Sequence, residues 1–190
     1  MEIDWKKRHD DDQKVIEYLK KHIAELQVEI SLLKLSIEDI NDTDDDGHYH
    51  MVSPNIAIGD IDSSYTNFDI IFDLSFYQET PHFKKHDIKE INGHVRIAII
   101  DNPSEETFML NILQKYVPFI LQQIEQGKKI LIHCFAGISR SSSLAIACIA
   151  QKEGLSFEAT LDIVKSIRQQ VKPNQGFCNA IKKYLSRRRH

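Results

Sequence analysis

From Ile16 onward the apolar positions step alternately by three and four, through Leu19, Ile23, Leu26, Ile30, Leu33, Ile37 and Ile40. That spacing predicts a helix of four heptads, with isoleucine at every a position and leucine at three of the four d positions. Such a seam favours a parallel two-stranded coiled coil. Asp10-Asp11-Asp12-Gln13 marks the helix start: carboxylates suit the positive end of the helix dipole, and Asp10 with Gln13 has capping-box spacing. Glu29 at g and Lys34 at the next e are placed to pair across a dimer. Val28, Leu32 and Leu35 lie off the seam, so a helix laid in cis on its own domain, or one binding a partner's helix, stays open beside the homodimer. The acidic stretch Asn41–His50 has little to bury and reads as a linker, with its aspartates, His48 and His50 taken as a solvated charge run and not a metal site.

Beyond residue 50 the periods change. Short apolar runs at Ile56–Gly59, Asp69–Leu74, Val95–Ile100 and Ile130–Ile132 read as strands. Thr107–Gln126 has a helical period, with Pro118 expected to kink it and Gly127 to stop it. Two further helices are expected after the run Leu144–Ala150: one capped by Ser156 and burying Leu161, Val164 and Ile167, and a last one ending near Leu185. Between Ser75 and Gly93 no period is clear, and a loop with a short helix is expected, His82 and His86 lying on its surface.

At 190 residues the chain allows one ordinary domain with an appendage, divided as 1–50 and 51–190. The net charge of −4 splits unevenly, with 7 Lys/Arg against 14 Asp/Glu in residues 1–50 (−7) and 17 against 14 in the remainder (+3). A mildly basic domain suits an anionic substrate, but the excess is too small to indicate nucleic acid. Cys134, Cys148 and Cys178 do not form a disulfide framework and fit a reducing compartment, so a cytoplasmic location is expected. The basic end Arg187–His190 adds a nuclear alternative, although a solvated terminus explains it as well. No apolar run approaches membrane-spanning length, and no membrane partner is expected.

The candidate chemistry lies between the strand Ile130–Ile132 and the apolar helix after it, in His133-Cys134-Phe135-Ala136-Gly137-Ile138-Ser139-Arg140-Ser141. Backbone N–H groups converging at a helix N-terminus make an anion site, and the same positive potential favours thiolate over thiol at Cys134. Arg140 offers a planar fork for two oxygens of a phosphate. Gly137 lets the loop approach an anion closely.

His133, Cys134, Gly137, Arg140 and Ser141 form His-Cys-x-x-Gly-x-x-Arg-Ser, and with it the chain resembles the cysteine-dependent protein phosphatases, most closely the dual-specificity branch. Pro173-Asn174-Gln175-Gly176-Phe177 looks like the same branch, and the likeness runs from about residue 52 to residue 186. It implies an α/β fold, a central mixed sheet flanked by helices, here preceded by the long N-terminal helix. It implies Cys134 as nucleophile, the loop amides of Phe135, Ala136, Gly137, Ile138 and Ser139 with Arg140 as the phosphate cradle, and Ser141 as a donor to the sulfur. His133 would orient the loop and help to hold the thiolate's pKa down. Asp101 matches the family's general acid, with Glu105 and Glu106 as rivals better placed in the first turn of the next helix. No metal or other cofactor is required, since Arg140 and backbone dipoles carry the charge.

The only tryptophan is Trp5, so the Trp-Pro-Asp loop of classical tyrosine phosphatases is missing, and the shallower dual-specificity pocket is implied. The substrates would be proteins bearing phosphotyrosine, phosphoserine or phosphothreonine. Phe135, Ala136, Ile138 and Ser139 include no lysine to meet the extra phosphates of an inositol ring, which leaves a lipid or RNA phosphate as the alternative substrate. A phosphoprotein-binding scaffold is the non-enzymatic alternative. Cys148 as a redox partner of Cys134 follows from some relatives, whereas its apolar helix argues for plain core packing.

Overall fold

The computed structural model describes residues 13–23, 26, 48–76 and 82–187. A helix, α1, covers residues 13–23. The seam positions Ile30, Leu33, Ile37 and Ile40, the helix start at Asp10–Asp12 and most of the acidic linker lie outside the described residues, as do 188–190 of the basic end.

Six strands, β1 (Tyr49–Ser53), β2 (Ile56–Gly59), β3 (Ile70–Asp73), β4 (Ile88–Ile91), β5 (His94–Ile97) and β6 (Ile130–His133), form one sheet in the order β1-β2-β6-β3-β5-β4. The inner strands β2, β6, β3 and β5 are parallel, while β1 and β4 pair antiparallel at the edges. Strand alternation sorts the side chains onto two faces. Ile56, Ile58, Ile70, Phe72, Val95, Ile97, Ile130 and Ile132 join the main core with the helices α2 (Glu106–Glu125), α3 (Arg140–Glu153), α4 (Phe157–Ile167) and α5 (Gln175–Ser186). On the opposite face Tyr49, Ala57, Ile71 and Leu131 make a smaller cluster with Met51 and Phe68. A parallel sheet covered in this way reads as continuous apolar runs, as Ile130–Ile132 does.

Two elements differ from the sequence reading. β1 runs through the expected boundary at residue 50, so His48–His50 belong to the domain and not to a linker. Tyr49 and Val52 are buried, while the short run between histidines carries too little apolar periodicity to announce a strand. Between Ser75 and Gly93, where a loop with a short helix was expected, the described residues carry β4 instead. It is joined to β5 by a hairpin at Asn92-Gly93, both with positive φ (48° and 82°), the pattern of a two-residue hairpin turn. β4 is an exposed edge, so its residues alternate too weakly to signal a strand.

The helices otherwise follow the sequence. α2 continues through Pro118, and it turns Met109, Leu113 and Val117 inward while Phe119 stays partly exposed. Ser156 caps α4, its Oγ accepting from the Ala159 amide at 3.1 Å. Gly154, with φ +67°, ends α3.

Candidate active site

β6 is the central strand of the parallel set, with β2 on one side and β3 on the other, and the chain turns from its C-terminal end into α3. Loops at strand C-termini beside such a branching of the sheet are where open α/β sheets bind ligands. The turn Cys134–Ser139 occupies this place, and the N-terminus of α3 begins at Arg140.

Cys134 is 2 % exposed. Burial by itself pushes its thiol pKa up. The Ser141 hydroxyl and amide, the Arg140 charge and the Ala136 amide outweigh that effect and hold it below the ordinary thiol value. Ser141 Oγ donates to Cys134 Sγ at 3.2 Å. The two following serines fasten the loop instead: Ser142 Oγ donates to the Ile138 and Ser139 carbonyls (2.7 and 2.9 Å), and Ser143 Oγ to the Ser139 carbonyl (2.6 Å).

Arg140 is buried. Its Nη1 donates to the carbonyl of Phe76 at 2.8 Å and, at 3.4 Å, to that of Ile99, while Nε has no hydrogen-bond partner. A buried guanidinium N–H without an acceptor is costly unless an anion completes it. The tethers to Phe76 and Ile99 fix the fork and leave its other edge for two oxygens.

Asp101 stands at the end of the segment after β5, exposed, and its Oδ1 accepts from Ser139 Oγ at 2.7 Å and from Asn174 Nδ2 at 2.7 Å. The Asn174 amide in turn donates to Ser139 Oγ at 3.1 Å. One carboxylate oxygen is thereby anchored to the loop, and the other stays available. The rival acids are engaged elsewhere. Glu105 is buried, and although burial alone would push its carboxyl up, Lys85 and His86 (both at 2.5 Å) hold it below the usual range. Glu106 is bonded by Lys183 and Asn179.

His133 points away from the thiol, because it is the next residue along the strand and faces the sheet's other side. Its Nε2 meets Tyr65 Oη at 3.1 Å and lies 3.9 Å from Asp73 Oδ1, the residue in register with it on β3. Burial lowers its pKa, so the ring is neutral at pH 7 and offers no positive charge to the thiolate. Its place supports the role of orienting the loop, not the electrostatic one.

Three residues outside the signature complete the site. Arg168, 1 % exposed, donates from Nε to the Gly137 carbonyl (3.2 Å) and from Nη2 to that of Ala136 (3.4 Å). Its Nη1 reaches His50 Nδ1 (2.8 Å) and the His48 carbonyl (3.4 Å). A Cβ on Gly137, whose φ is +64°, would lie 2.5 Å from Arg168 Nη2 and 2.8 Å from the Gly59 carbonyl, so only glycine lets the arginine under the loop. In sequence Arg168 looks like an ordinary exposed cation at a helix end, and nothing local announces its burial. Asn174 lies in the stretch Pro173–Phe177 that resembles the family, but nothing in the sequence marks it as a partner of Asp101, and Tyr65 carries no signal at all. Cys148, fully buried in the core, has its thiol pushed up by burial, as a packing residue would. Among the described residues His48, Asp60 and Asp62 bring possible metal-ligand atoms within 4.8 Å of one another, but His48 and Asp60 are already paired at 3.2 Å.

The family model for the dual specificity phosphatase catalytic domain matches residues 55–187. Dual specificity protein phosphatase 12 of Mus musculus is 36% identical over 88 residues, covering 46% of this chain and 25% of that protein. Dual specificity protein phosphatase 1B of Arabidopsis thaliana is 33% identical over 88 residues, covering 46% of this chain and 52% of that protein. The chain thus spans between a quarter and about half of the length of these curated relatives. Among solved structures, the human tyrosine phosphatase-like serine/threonine/tyrosine-interacting protein superposes with a TM-score of 0.62 at 22% identity, over 75% of this chain and 98% of the other. Human DUSP28 gives 0.61 at 21%, over 75% and 96%. These two likenesses establish the fold. The family match, which spans most of the chain, shows that it belongs to the dual specificity phosphatase catalytic-domain family.

Proposed function

We propose that the protein hydrolyses phosphotyrosine and phosphoserine/phosphothreonine in proteins through a phosphocysteine intermediate. The observation that carries this reading is the pairing, in one loop, of a buried thiol held below its ordinary pKa with a buried arginine whose Nε has no partner. Cys134 thiolate attacks phosphorus, forming the S–P bond as the ester P–O bond breaks. Arg140 and the loop amides hold the non-bridging oxygens, and Asp101 gives its proton to the leaving oxygen. Water then attacks phosphorus and Asp101 takes its proton. The S–P bond breaks, and the Ser141 hydroxyl, already 3.2 Å from the sulfur, stabilises the departing thiolate. No step calls for a metal.

The test is hydrolysis of p-nitrophenyl phosphate and of phosphotyrosine and phosphothreonine peptides in the presence of a chelator. Wild type is expected to cleave all three. Asp101→Asn keeps an oxygen for Ser139 and Asn174 but has no proton to give, so its kcat on the phosphothreonine peptide is expected to fall by about 10²–10³-fold. The fall should be smaller on p-nitrophenyl phosphate, whose leaving group needs little protonation. Freshly reduced wild type that binds phosphopeptides and cleaves none of the substrates would sink the enzymatic reading in favour of the scaffold.

The seam of the N-terminal helix belongs to the same reading as a self-association element. Ile16, Leu19, Ile23 and Leu26 are 42%, 50%, 54% and 47% exposed, which leaves one apolar stripe for a second chain to cover. Light scattering at tens of micromolar is expected to give a dimer, with Leu19→Lys/Leu26→Lys monomeric and unchanged on p-nitrophenyl phosphate. A monomeric wild type would leave the partner-helix and cis arrangements.

A further inference from the structure

Outside residues 13–26, seven large apolar side chains are exposed among the described residues, and four of them lie in the phosphate loop or in the segments bonded to it. They are Ile61 (38 %), Ile100 (41 %), Phe135 (55 %) and Ile138 (36 %). The segments that carry them are fastened to one another. The Ile61 amide donates to the Phe135 carbonyl at 3.3 Å, and the bond from Ser139 to Asp101 ties the Ile138 end of the loop to Ile100. Exposed apolar groups are normal when scattered, but a cluster rimming a site marks a contact surface.

The charge around this rim has a sign. Asp62 and Asp101 are exposed and next in sequence to Ile61 and Ile100, and Asp60, half-buried, is paired with His48. Among the described residues, the one exposed cation whose backbone is bonded directly to the loop is Lys172, whose amide donates to the Ile138 carbonyl at 2.8 Å. Arg140 and Arg168 are buried; the first keeps its Nε edge for the scissile phosphate, and the second is committed to the Ala136 and Gly137 carbonyls. Among the described residues, a carboxylate or second phosphate flanking the scissile group would meet Asp62 and apolar carbon, at a cost in desolvation and repulsion.

We infer that Ile61, Ile100, Phe135 and Ile138 form a specificity collar that selects a singly phosphorylated peptide with a large apolar residue next to the phosphoresidue. The inference rests on the phosphatase reading and names its substrate class. The site excludes doubly phosphorylated and acidic sequences; the phosphate alone is read by the loop.

The test compares three phosphotyrosine peptides of equal length, with leucine, glutamate or a second phosphoresidue on both sides of the phosphotyrosine. The leucine peptide is expected to have a kcat/KM about tenfold or more above the other two, the range open to apolar pocket contacts. In Ile61→Lys/Ile100→Lys that order should reverse towards the glutamate peptide, with p-nitrophenyl phosphate hydrolysis unchanged. Binding of the same peptides to Cys134→Ser, followed by fluorescence anisotropy, reads the collar without turnover. Hydrolysis of p-nitrophenyl phosphate with equal or acid-favouring peptide rates would overturn the collar alone. Preferential binding of the leucine peptide without any hydrolysis would overturn the enzymatic reading and leave the collar standing. Neither hydrolysis nor a binding preference would overturn both.

Discussion

Cys134→Ser is expected to lower kcat on every phosphoester substrate by at least about 10⁴-fold, with the fold retained. The site is built to ionise a thiol. It lowers the pKa with the Ser141 hydroxyl, two amides and the Arg140 charge, and it does so against a burial cost that alone would push the thiol up. A serine hydroxyl starts so much higher that the same environment leaves it neutral, and among the described residues no base stands beside it to remove the proton. His133, the nearest imidazole in sequence, faces Tyr65 on the other side of the strand. The pH dependence has a definite sign. In the proposed mechanism the thiolate is the active form, and because its pKa is lowered, activity is expected to persist to lower pH than for an ordinary thiol. Ser141→Ala removes one of the lowering contacts and is expected to move the acid limb of the kcat/KM profile upward. A profile unmoved by Ser141→Ala would show that the hydroxyl does not hold the thiolate, and full activity in Cys134→Ser would exclude the nucleophile altogether.

Arg140→Lys is expected to cost about 10³-fold in kcat/KM. Charge is conserved, so the loss measures geometry. Arginine here uses one nitrogen to hold Phe76 and Ile99 and keeps the Nε edge for the anion. A lysine ammonium can satisfy one of these demands but not both, because it is a point donor on a flexible stem. Inhibition by vanadate or inorganic phosphate should weaken in parallel, since the ground-state anion is held by the same fork. A variant that keeps its phosphate affinity while losing turnover would mean that the guanidinium acts only in the transition state.

The catalytic loop was readable because its chemistry is written contiguously. Cys134, Gly137, Arg140 and Ser141 lie within eight residues, flanked by a strand and a helix of clear period. Asp101 is singled out by the family resemblance and not by its own neighbourhood, where turn chemistry explains an aspartate as well; the structure adds that Ser139 and Asn174 anchor one of its oxygens to the loop. What stayed hidden depends on contacts between distant segments. Arg168 is polar, sits among polar neighbours and is nevertheless 1 % exposed, because its partners are carbonyls at residues 48, 136 and 137. β4 was missed as an exposed edge, although Asn92-Gly93 is a hairpin signal in its own right. Strand alternation sets the His133 ring against Tyr65, on the face of β6 opposite the core.

The arginine under the loop also fixes where the folding unit begins. The family match starts at residue 55, yet His48 and His50 hold one end of Arg168 and β1 covers the outer edge of β2. A fragment cut at that boundary would expose the β2 edge and strip the guanidinium of two acceptors. A piece that keeps the β2 edge covered and Arg168 held therefore has to include His48, and the histidines that resemble the tail of a linker are part of the catalytic scaffold.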